Sequence, residues 1–180
     1  MAPMAPSEPQ EVATRASWQC WPPGSMDAIP YRTSFSITEY VAIRCGLVPE
    51  EMEDKWFMFC EDDVLYLHRS WTGLCVYRVV FRSRGDGYEV QEAYVSADTR
   101  QYRRGPDDHE VRLLNFLIRA LLLHEVIEFP FPAGIGRWGG RGRYRFHIAG
   151  NVLTADWLAE QPRVLVRTWR SLRRWFSDRA

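Results

Sequence analysis

The sequence predicts an α+β fold in which a four-stranded antiparallel β-meander packs against helices. Four apolar runs rich in strand-forming residues follow one another without a helix between them, and short turn-type sequences connect them. A segment of helical period comes next, and its polar residues form a single stripe. Because the sheet and this helix must each bury an apolar face, we expect the helix to lie across the sheet.

The first 30 residues contain six of the chain's 11 prolines and few aliphatic side chains. Such a segment buries too little apolar surface to offset the chain entropy lost on folding. The sequence therefore predicts a flexible Pro-rich tail over residues 1–30, whose end Trp18 and Trp21 can fix to the body. A core domain is predicted over residues 31–132.

A capping box begins the first element of this core. Ser36 and Glu39 stand three residues apart, so each side chain can accept from the other residue's free amide, and apolar residues of helical period follow. A short helix is expected from about 37 to 45, ended by Gly46. The strands of the meander are predicted at Trp56–Cys60, Val64–Arg69, Leu74–Arg82 and Tyr88–Val95.

The long helix of the core is predicted over Glu110–Leu123. Asp107 and Asp108 precede it and are candidate caps, because an Asp carboxylate can accept from the free amides of the first turn. Phe129-Pro-Phe-Pro132 then ends regular structure. The polar stripe of this helix consists of Arg112, Asn115 and Arg119.

The net charge of the chain is zero, but the charge is unevenly distributed. Residues 1–132 carry 13 basic and 20 acidic side chains, whereas residues 133–180 carry ten arginines and three acidic side chains. The basic region either docks on the acidic body or meets an external polyanion. Its pattern predicts a Gly/Arg-rich loop over 133–142 and, from Asp156, a basic amphipathic C-terminal helix docked on the core.

Composition also excludes several classes of protein. The longest nearly apolar run, Phe116–Leu123, contains Arg119 and is shorter than the roughly 18 residues of a membrane-spanning helix. The first residues lack the basic and apolar regions of a secretory signal, so we expect a cytoplasmic location. The four cysteines form no CxxC pair and are expected to be reduced thiols. Neither a metal site nor a cofactor is predicted.

Two motif matches lack the context that their chemistry needs. His124 and Glu125 begin an HExxH-like pattern, but Glu128 stands where the second zinc-binding histidine would be. Residues 134–139 match GxGxxG, but the Gly-Arg-rich sequence that follows does not predict the amphipathic helix of a dinucleotide-binding fold.

Register arithmetic predicts that His68 faces Cys75 across the second hairpin of the meander. Extending the register places Trp56 beside His68 and Tyr94 beside Cys75, so these four side chains would share one face. A thiol beside an imidazole has the composition of a nucleophile and base pair. A histidine bonded inside an apolar core explains the same pattern, and a register slip of one residue removes the pairing.

The opposite face of the meander mixes cationic and apolar side chains and is too apolar to be simply solvated. Either the tail or the C-terminal helix covers it, or it forms a pocket in which Arg69 meets an anion and Trp71 provides a stacking surface. Trp71 lies at the tip of a tight turn, where a small polar residue would serve. Its ring is therefore expected to contact either a ligand or the chain's own loop. The candidate ligand-binding residues are Arg69, Trp71, Trp56 and Tyr94.

An arginine-rich segment with interleaved rings occupies residues 137–145. This composition is typical of nucleic-acid binding, with charge for phosphates and rings for stacking. The acidic body and an isoelectric point of about 6.9 argue against that function. The candidate phosphate-binding residues are Arg137, Arg141, Arg143 and Arg145.

Three elements of the sequence resemble an uncharacterised bacterial domain. They are Lys55-Trp-Phe, the Val64–Val79 stretch with His68-Arg-Ser-Trp-Thr-Gly73 and Tyr77-Arg-Val79, and Leu113–Ile118. The resemblance covers about residues 38–124 and associates the chain with proteins that handle ADP-ribose. It implies no particular catalytic residues, and the Gly-Arg stretch after residue 132 lies outside it.

Three functions are compatible with these patterns. The first is a small cytoplasmic binding module that recognises an anionic ligand or protein segment through Arg69 and Trp71. The second is an enzyme acting on a nucleotide or ADP-ribose-type substrate, with His68 as acid or base and Cys75 as its partner. The third is nucleic-acid binding through residues 137–145. The oligomeric state is not predicted.

Overall fold

The computed structural model of the chain describes residues 12–132, 134, 140–150, 152, 154 and 155. Over these residues the chain forms a six-stranded antiparallel sheet and three α-helices, which confirms the predicted α+β class and the meander. The strands are β1 (Met26–Ala28), β2 (Ser34–Ser36), β3 (Trp56–Glu61), β4 (Val64–Arg69), β5 (Cys75–Arg84) and β6 (Gly87–Ser96). The helices are α1 (Ile37–Cys45), α2 (Asp107–Leu117), which continues as a π-helical segment (Ile118–Leu122), and α3 (Gly140–Ala149).

The spatial order of the sheet is β1-β6-β5-β4-β3, and β2 also pairs with β6. The meander supplies four of these strands, as predicted. The other two, β1 and β2, are each three residues long, which is too short to show a period-2 pattern in the sequence. They extend the sheet beyond β6 with residues that had been assigned to the tail and to the segment before α1.

The capping box of α1 is present. The Ser36 hydroxyl accepts from the Glu39 amide at 3.2 Å, and the Glu39 carboxylate accepts from the Ser36 amide at 2.7 Å. The helix ends at Gly46, whose φ of 71° lies in the region that favours glycine. A Cβ at Gly46 would also collide with the Met58 carbonyl and the Ala13 side chain. The predicted helix from 37 to 45 is therefore confirmed at both ends.

The main core lies between the sheet and the layer formed by α2 and the π-helical segment. Both contribute buried apolar side chains, and the predicted polar stripe lies on the outer side of the helix. The predicted caps are wrong, because the N-cap is Pro106 and no side chain bonds the free amides there. Asp107 and Asp108 instead lie in the first turn, where their charge favours the positive end of the helix dipole.

Residues 12–30 differ from the flexible tail that the sequence predicts. The Ala13 amide donates to the Cys45 carbonyl at 2.8 Å, and Ala13 packs on Phe57 and Phe59, on the sheet face opposite the main core. Farther along, β1 pairs with β6, and Ile29 and Tyr31 are buried in the main core. Composition gave no sign of this packing because it depends on non-local contacts. Residues 1–11 lie outside the described part of the chain.

The described part of the region after residue 132 contains a helix that begins within the predicted loop. Helix α3 begins at Gly140, inside the predicted loop of 133–142, so a helix does follow the GxGxxG match. Residues 129–132, which precede the match, form no strand, and the dinucleotide-binding context is still missing. The predicted helix from Asp156 lies outside the described residues. No helix in the described part of the chain is long and apolar enough to cross a bilayer.

Candidate functional site

The structure confirms one pair of the predicted face and corrects two others. His68 pairs with Cys75, as predicted. Trp56 instead pairs with Arg69, and Tyr94 pairs with Arg78, so the predicted row of four side chains does not form. In the β5–β6 hairpin Phe81 pairs with Val90, two positions from the predicted Tyr88, and a register shift between Val80 and Phe81 adds one more position. Tyr94 therefore lies opposite Arg78, three residues from Cys75.

The changed partner of Trp56 results from the turn between β3 and β4. Asp62 and Asp63 both have positive φ, at 50° and 58°, which is the conformation of a two-residue hairpin turn that matches the sheet twist. The sequence prediction had assumed a three-residue turn that included Glu61. A turn that is one residue shorter shifts the pairing of β3 with β4 by one position. Each β3 side chain therefore lies on the face opposite to the predicted one.

His68 is sealed inside the sheet face that residues 12–21 cover. Its ring has no exposed surface, stacks on Phe59 with centroids 5.6 Å apart, and donates from Nδ1 to the Gly73 carbonyl at 2.9 Å. Burial lowers the pKa of His68, which favours the neutral ring. Burial raises the pKa of the neighbouring Cys75 thiol to about 12, so the thiol stays protonated near neutral pH. The pair therefore has the packing of a core histidine and an inert thiol.

The buried histidine predicts that acid destabilises the fold. His68 binds a proton more weakly in the folded chain than in the unfolded chain, so the free energy of unfolding falls as pH drops from 7 to 5. The pKa of His109 is also lowered by burial and acts in the same direction. The slope cannot exceed about 1.4 kcal/mol per pH unit for each histidine. Urea denaturation at pH 7, 6 and 5 measures this slope.

The variant His68→Gln is the matched control for the pH experiment, because it retains a side-chain donor without a titrating ring. Its free energy of unfolding should depend less on pH over the same window. A wild-type stability that is flat or rises between pH 7 and 5 would contradict the assignment of a neutral buried His68.

The turn between β4 and β5 carries the two residues on which the binding hypothesis rests. Arg69 ends β4, and its Nη2 and Nη1 atoms donate to the carbonyls of His147 at 3.0 Å and Ile148 at 3.1 Å, at the end of α3. Its guanidinium also lies over the Trp56 ring, 4.9 Å from the centroid. Trp71 projects from the turn with 60% of its surface exposed, and its indole N–H donates to the Met52 carbonyl at 3.1 Å.

A cavity of about 400 Å³ lies beside these two side chains and is called the turn cavity below. Four segments that are distant in sequence form it: the end of the loop before β3, the β4–β5 turn, the segment after β6, and the end of α3. The residues that line the turn cavity are Lys55, Arg69, Ser70, Trp71, Thr72, Gln101 and His147.

The charge of the turn cavity is positive. Lys55 and Arg69 line it, and its lining contains no carboxylate. In the part of the chain that the structure describes, neither cation forms an ion pair with an acidic side chain, whereas Asp54 next to Lys55 accepts from the amides of Glu50 and Glu51. Burial lowers the pKa of Arg69, because loss of solvation disfavours the charged guanidinium. An anion in this cavity would supply the missing charge.

The tail segment Trp18–Trp21 holds the turn in place. All four backbone carbonyls of residues 70–73 accept a hydrogen bond from this segment. The indole N–H groups of Trp18 and Trp21 donate to the carbonyls of residues 70 and 72 at 2.8 and 2.9 Å, and the Gln19 amide donates to those of 70 and 71 at 3.0 Å. The backbone amide of Trp21 donates to the carbonyl of residue 73 at 2.9 Å. The wall of the turn cavity that carries Trp71 is thus fixed from behind.

Two other candidate ligand-binding residues lie away from the turn cavity. Trp56 is buried beneath Arg69 and donates its indole N–H to the Ile148 carbonyl at 2.7 Å, so its role is to join β3 to α3. Tyr94 lies on β6, where the Arg78 guanidinium stacks 4.4 Å from its ring and its hydroxyl donates to Glu92.

Of the arginines proposed to bind nucleic acid, the three that the structure describes do not share one face. Arg141 points back to the chain, 4.8 Å from the Phe131 ring, and Arg145 donates to the Thr154 hydroxyl at 3.0 Å. Arg143 is exposed on the opposite side of α3. Arg137 lies outside the described residues. The described arginines therefore do not form a continuous basic surface of the kind that tracks a phosphate backbone.

Sequence reasoning missed Gln101 and His147 and did not include Lys55 among the ligand-binding residues. Lys55 is the only lysine beside 22 arginines, which was the one available signal. The sequence contains no such signal for Gln101 and His147, because only the tertiary fold brings them to the turn cavity.

Among the described residues, no group of three or more His, Cys, Asp or Glu side chains could hold a metal ion.

The sequence matches no protein-family model, and comparisons with curated proteins and with solved structures give no significant match. The resemblance carried by the Lys55-Trp-Phe and His68–Gly73 elements therefore stays a prediction. The function must be inferred from the geometry of the turn cavity.

Proposed function

We propose that the protein is a small binding module for an anionic ligand, which it holds in the turn cavity. The observation that carries this proposal is a cavity with two cations and no carboxylate in its lining. Its lining is mainly apolar and carries a few polar groups that converge on one space, as in small-molecule sites, where such groups fix the ligand's orientation. The four cysteines are all free thiols, which supports the proposal of a cytoplasmic location.

The roles of the two cations differ in this proposal. Arg69 already donates to two carbonyls at the end of α3, so it contributes charge from the wall and the N–H groups that remain. The Lys55 ammonium donates to the Met52 carbonyl at 3.0 Å and has two further protons for a ligand. His147, Gln101 and Thr72 supply additional donors at the rim. Lys55 is thus the principal contact for the anion.

The proposed enzymatic function has less support. His68 and Cys75 are both sealed from solvent, so a substrate would reach them only after the covering tail segment moved away. The nucleic-acid function has less support for a different reason, since Arg141 and Arg145 contact the chain itself. The anionic ligand is therefore the function that the geometry supports best.

Replacing Lys55 with methionine tests the proposal, because methionine retains most of the stem and removes the charge. We expect Lys55→Met to weaken the binding of inorganic phosphate and of phenyl phosphate about tenfold or more, in line with hydrogen bonds to charged groups. Isothermal titration calorimetry at constant ionic strength gives the dissociation constants. Wild-type affinity should also fall as salt is added, because screening weakens the attraction.

The matched control is Arg143→Met, which removes an exposed cation of α3 that does not line the turn cavity. It should bind both anions as the wild type does. Equal affinities for Lys55→Met and wild type, or equal losses in both variants, would contradict the proposal. Failure of the wild-type protein to bind either anion at millimolar concentration would also contradict it.

A further inference from the structure

The indole of Trp71 offers a ligand only its ring. Its N–H is already engaged with the Met52 carbonyl, so the exposed part of the side chain offers apolar and π surface. Exposing a large ring at the tip of a turn is unfavourable unless something covers it. Because Trp71 lines the turn cavity, whatever fills the cavity contacts this ring.

A second aromatic ring lies near the cation. The Lys55 ammonium lies 5.0 Å from the Trp71 centroid and 5.1 Å from the Phe146 centroid, and 42% of Phe146 is exposed. Cation–π attraction to both rings stabilises the position of the ammonium. One wall of the turn cavity thus presents a positive charge directly beside exposed aromatic surface.

The size of the cavity agrees with a ligand larger than a bare ion. Its volume of about 400 Å³ falls within the range of small-molecule sites, and a phosphate or sulfate would leave most of it open. Two other ligand types fit the walls less well. A cationic ligand would stack on Trp71 but would be repelled by Lys55 and Arg69. A neutral sugar would leave both cations without a counter-charge.

We infer that the ligand of the turn cavity is an aromatic anion, whose charged group contacts Lys55 and His147 and whose flat ring stacks on Trp71. This inference rests on the proposed anion-binding function and adds the chemical class of the ligand. The cations provide attraction for any anion, whereas the ring of Trp71 selects for flat ligands. Specificity and charge recognition are therefore assigned to different side chains of the same site.

The test compares three probes that share a phosphate group: phenyl phosphate, cyclohexyl phosphate and inorganic phosphate. We expect phenyl phosphate to bind the wild-type protein about fivefold more tightly than cyclohexyl phosphate, as an offset-stacked aromatic pair would. Inorganic phosphate should bind most weakly. Trp71→Leu should remove the preference for phenyl over cyclohexyl phosphate, and any displacement of Lys55 that it causes should weaken all three probes by a similar factor. Titration calorimetry gives all three dissociation constants.

Tyr94→Leu is the matched control, because Tyr94 lies on β6 with its ring stacked on Arg78 and does not line the turn cavity. This variant should keep the preference for phenyl phosphate, and its melting temperature verifies that it folds. Equal binding of phenyl and cyclohexyl phosphate, or loss of the preference in both variants, overturns the aromatic selectivity and leaves the anion-binding function intact. Absence of binding for all three probes overturns both.

Discussion

Replacing Glu110 with alanine is expected to lower the free energy of unfolding by about 3–5 kcal/mol, the largest effect predicted for a single side chain here. The Glu110 carboxylate is buried and accepts three hydrogen bonds. They come from the hydroxyls of Tyr77 at 2.5 Å and Tyr102 at 2.8 Å, and from the Gly105 amide at 2.5 Å. Alanine would leave the buried Tyr77 hydroxyl and the half-buried donors of Tyr102 and Gly105 without their acceptor, and it would also open a cavity.

The carboxylate joins three parts of the fold. Tyr77 lies on β5, Tyr102 and Gly105 lie in the segment between β6 and α2, and Glu110 belongs to the first turns of α2. The same segment carries Gln101 to the rim of the turn cavity. Loss of Glu110 is therefore expected to weaken both the packing of α2 on the sheet and the geometry of the proposed site.

Urea denaturation measures the loss, and Glu110→Gln is the matched control. Glutamine has almost the same shape and retains a carbonyl oxygen that can accept, so its destabilisation should be clearly smaller than that of alanine. An alanine variant within about 1 kcal/mol of the wild type would show that this network does not stabilise the fold. An equal and large loss in both variants would show that the charge, and not the acceptor, is the important property.

Replacing Arg69 with methionine is expected to affect stability and binding together. Two charge-assisted hydrogen bonds to the carbonyls of His147 and Ile148 would be lost, which predicts a decrease of about 2–4 kcal/mol in the free energy of unfolding. The turn cavity would lose one of its two cations and the anchor of the helix that carries His147. We therefore expect phenyl phosphate to bind at least about tenfold more weakly.

Arg69→Lys separates the two effects. Lysine keeps the positive charge but lacks the planar fork that reaches two carbonyls at once. This variant should recover most of the anion affinity and only part of the stability. A methionine variant that keeps wild-type stability would contradict the role of Arg69 at the end of α3. Unchanged affinity in a folded methionine variant would contradict its role in the site.

Local patterns predicted the parts of the fold that depend on nearby residues. The capping box and Gly46 define α1 within the sequence itself, and the bounds of β4 follow from its apolar pattern between two turns. The pairing of His68 with Cys75 was also predictable, because it is set by the short Ser70–Gly73 turn. In each case the deciding contacts lie within a few residues.

Other features depend on contacts that no local pattern reveals. The register of β3 was missed because Asp62 and Asp63 both adopt positive φ, which shortens the turn by one residue. The packing of residues 12–30 was missed because composition indicates how much apolar surface a segment can bury by itself. It does not show how much the segment buries against a neighbouring sheet. The hydrogen bonds of Trp18, Gln19 and Trp21 to the β4–β5 turn span about 50 residues of chain.

The residues of the candidate site also divide into those that local sequence predicts and those that depend on distant contacts. Arg69 and Trp71 were predicted because they are a cation and a ring in one tight turn. Lys55, Gln101 and His147 join them only after β3 pairs with β4, the segment after β6 folds back, and α3 docks on Trp56. The sequence could therefore indicate the wall of the turn cavity but not the cavity itself.

The most direct test of an anion site in the turn cavity is a titration of ¹⁵N-labelled protein with phenyl phosphate, followed by the indole N–H resonances. The eight tryptophans give separate signals that substitution can assign. The resonance of Trp71 is predicted to shift progressively and to saturate, while that of Trp21 changes little. Saturation should disappear in Lys55→Met. A Trp71 signal that stays in place up to millimolar phenyl phosphate, or that shifts equally in Lys55→Met, would contradict the existence of this site.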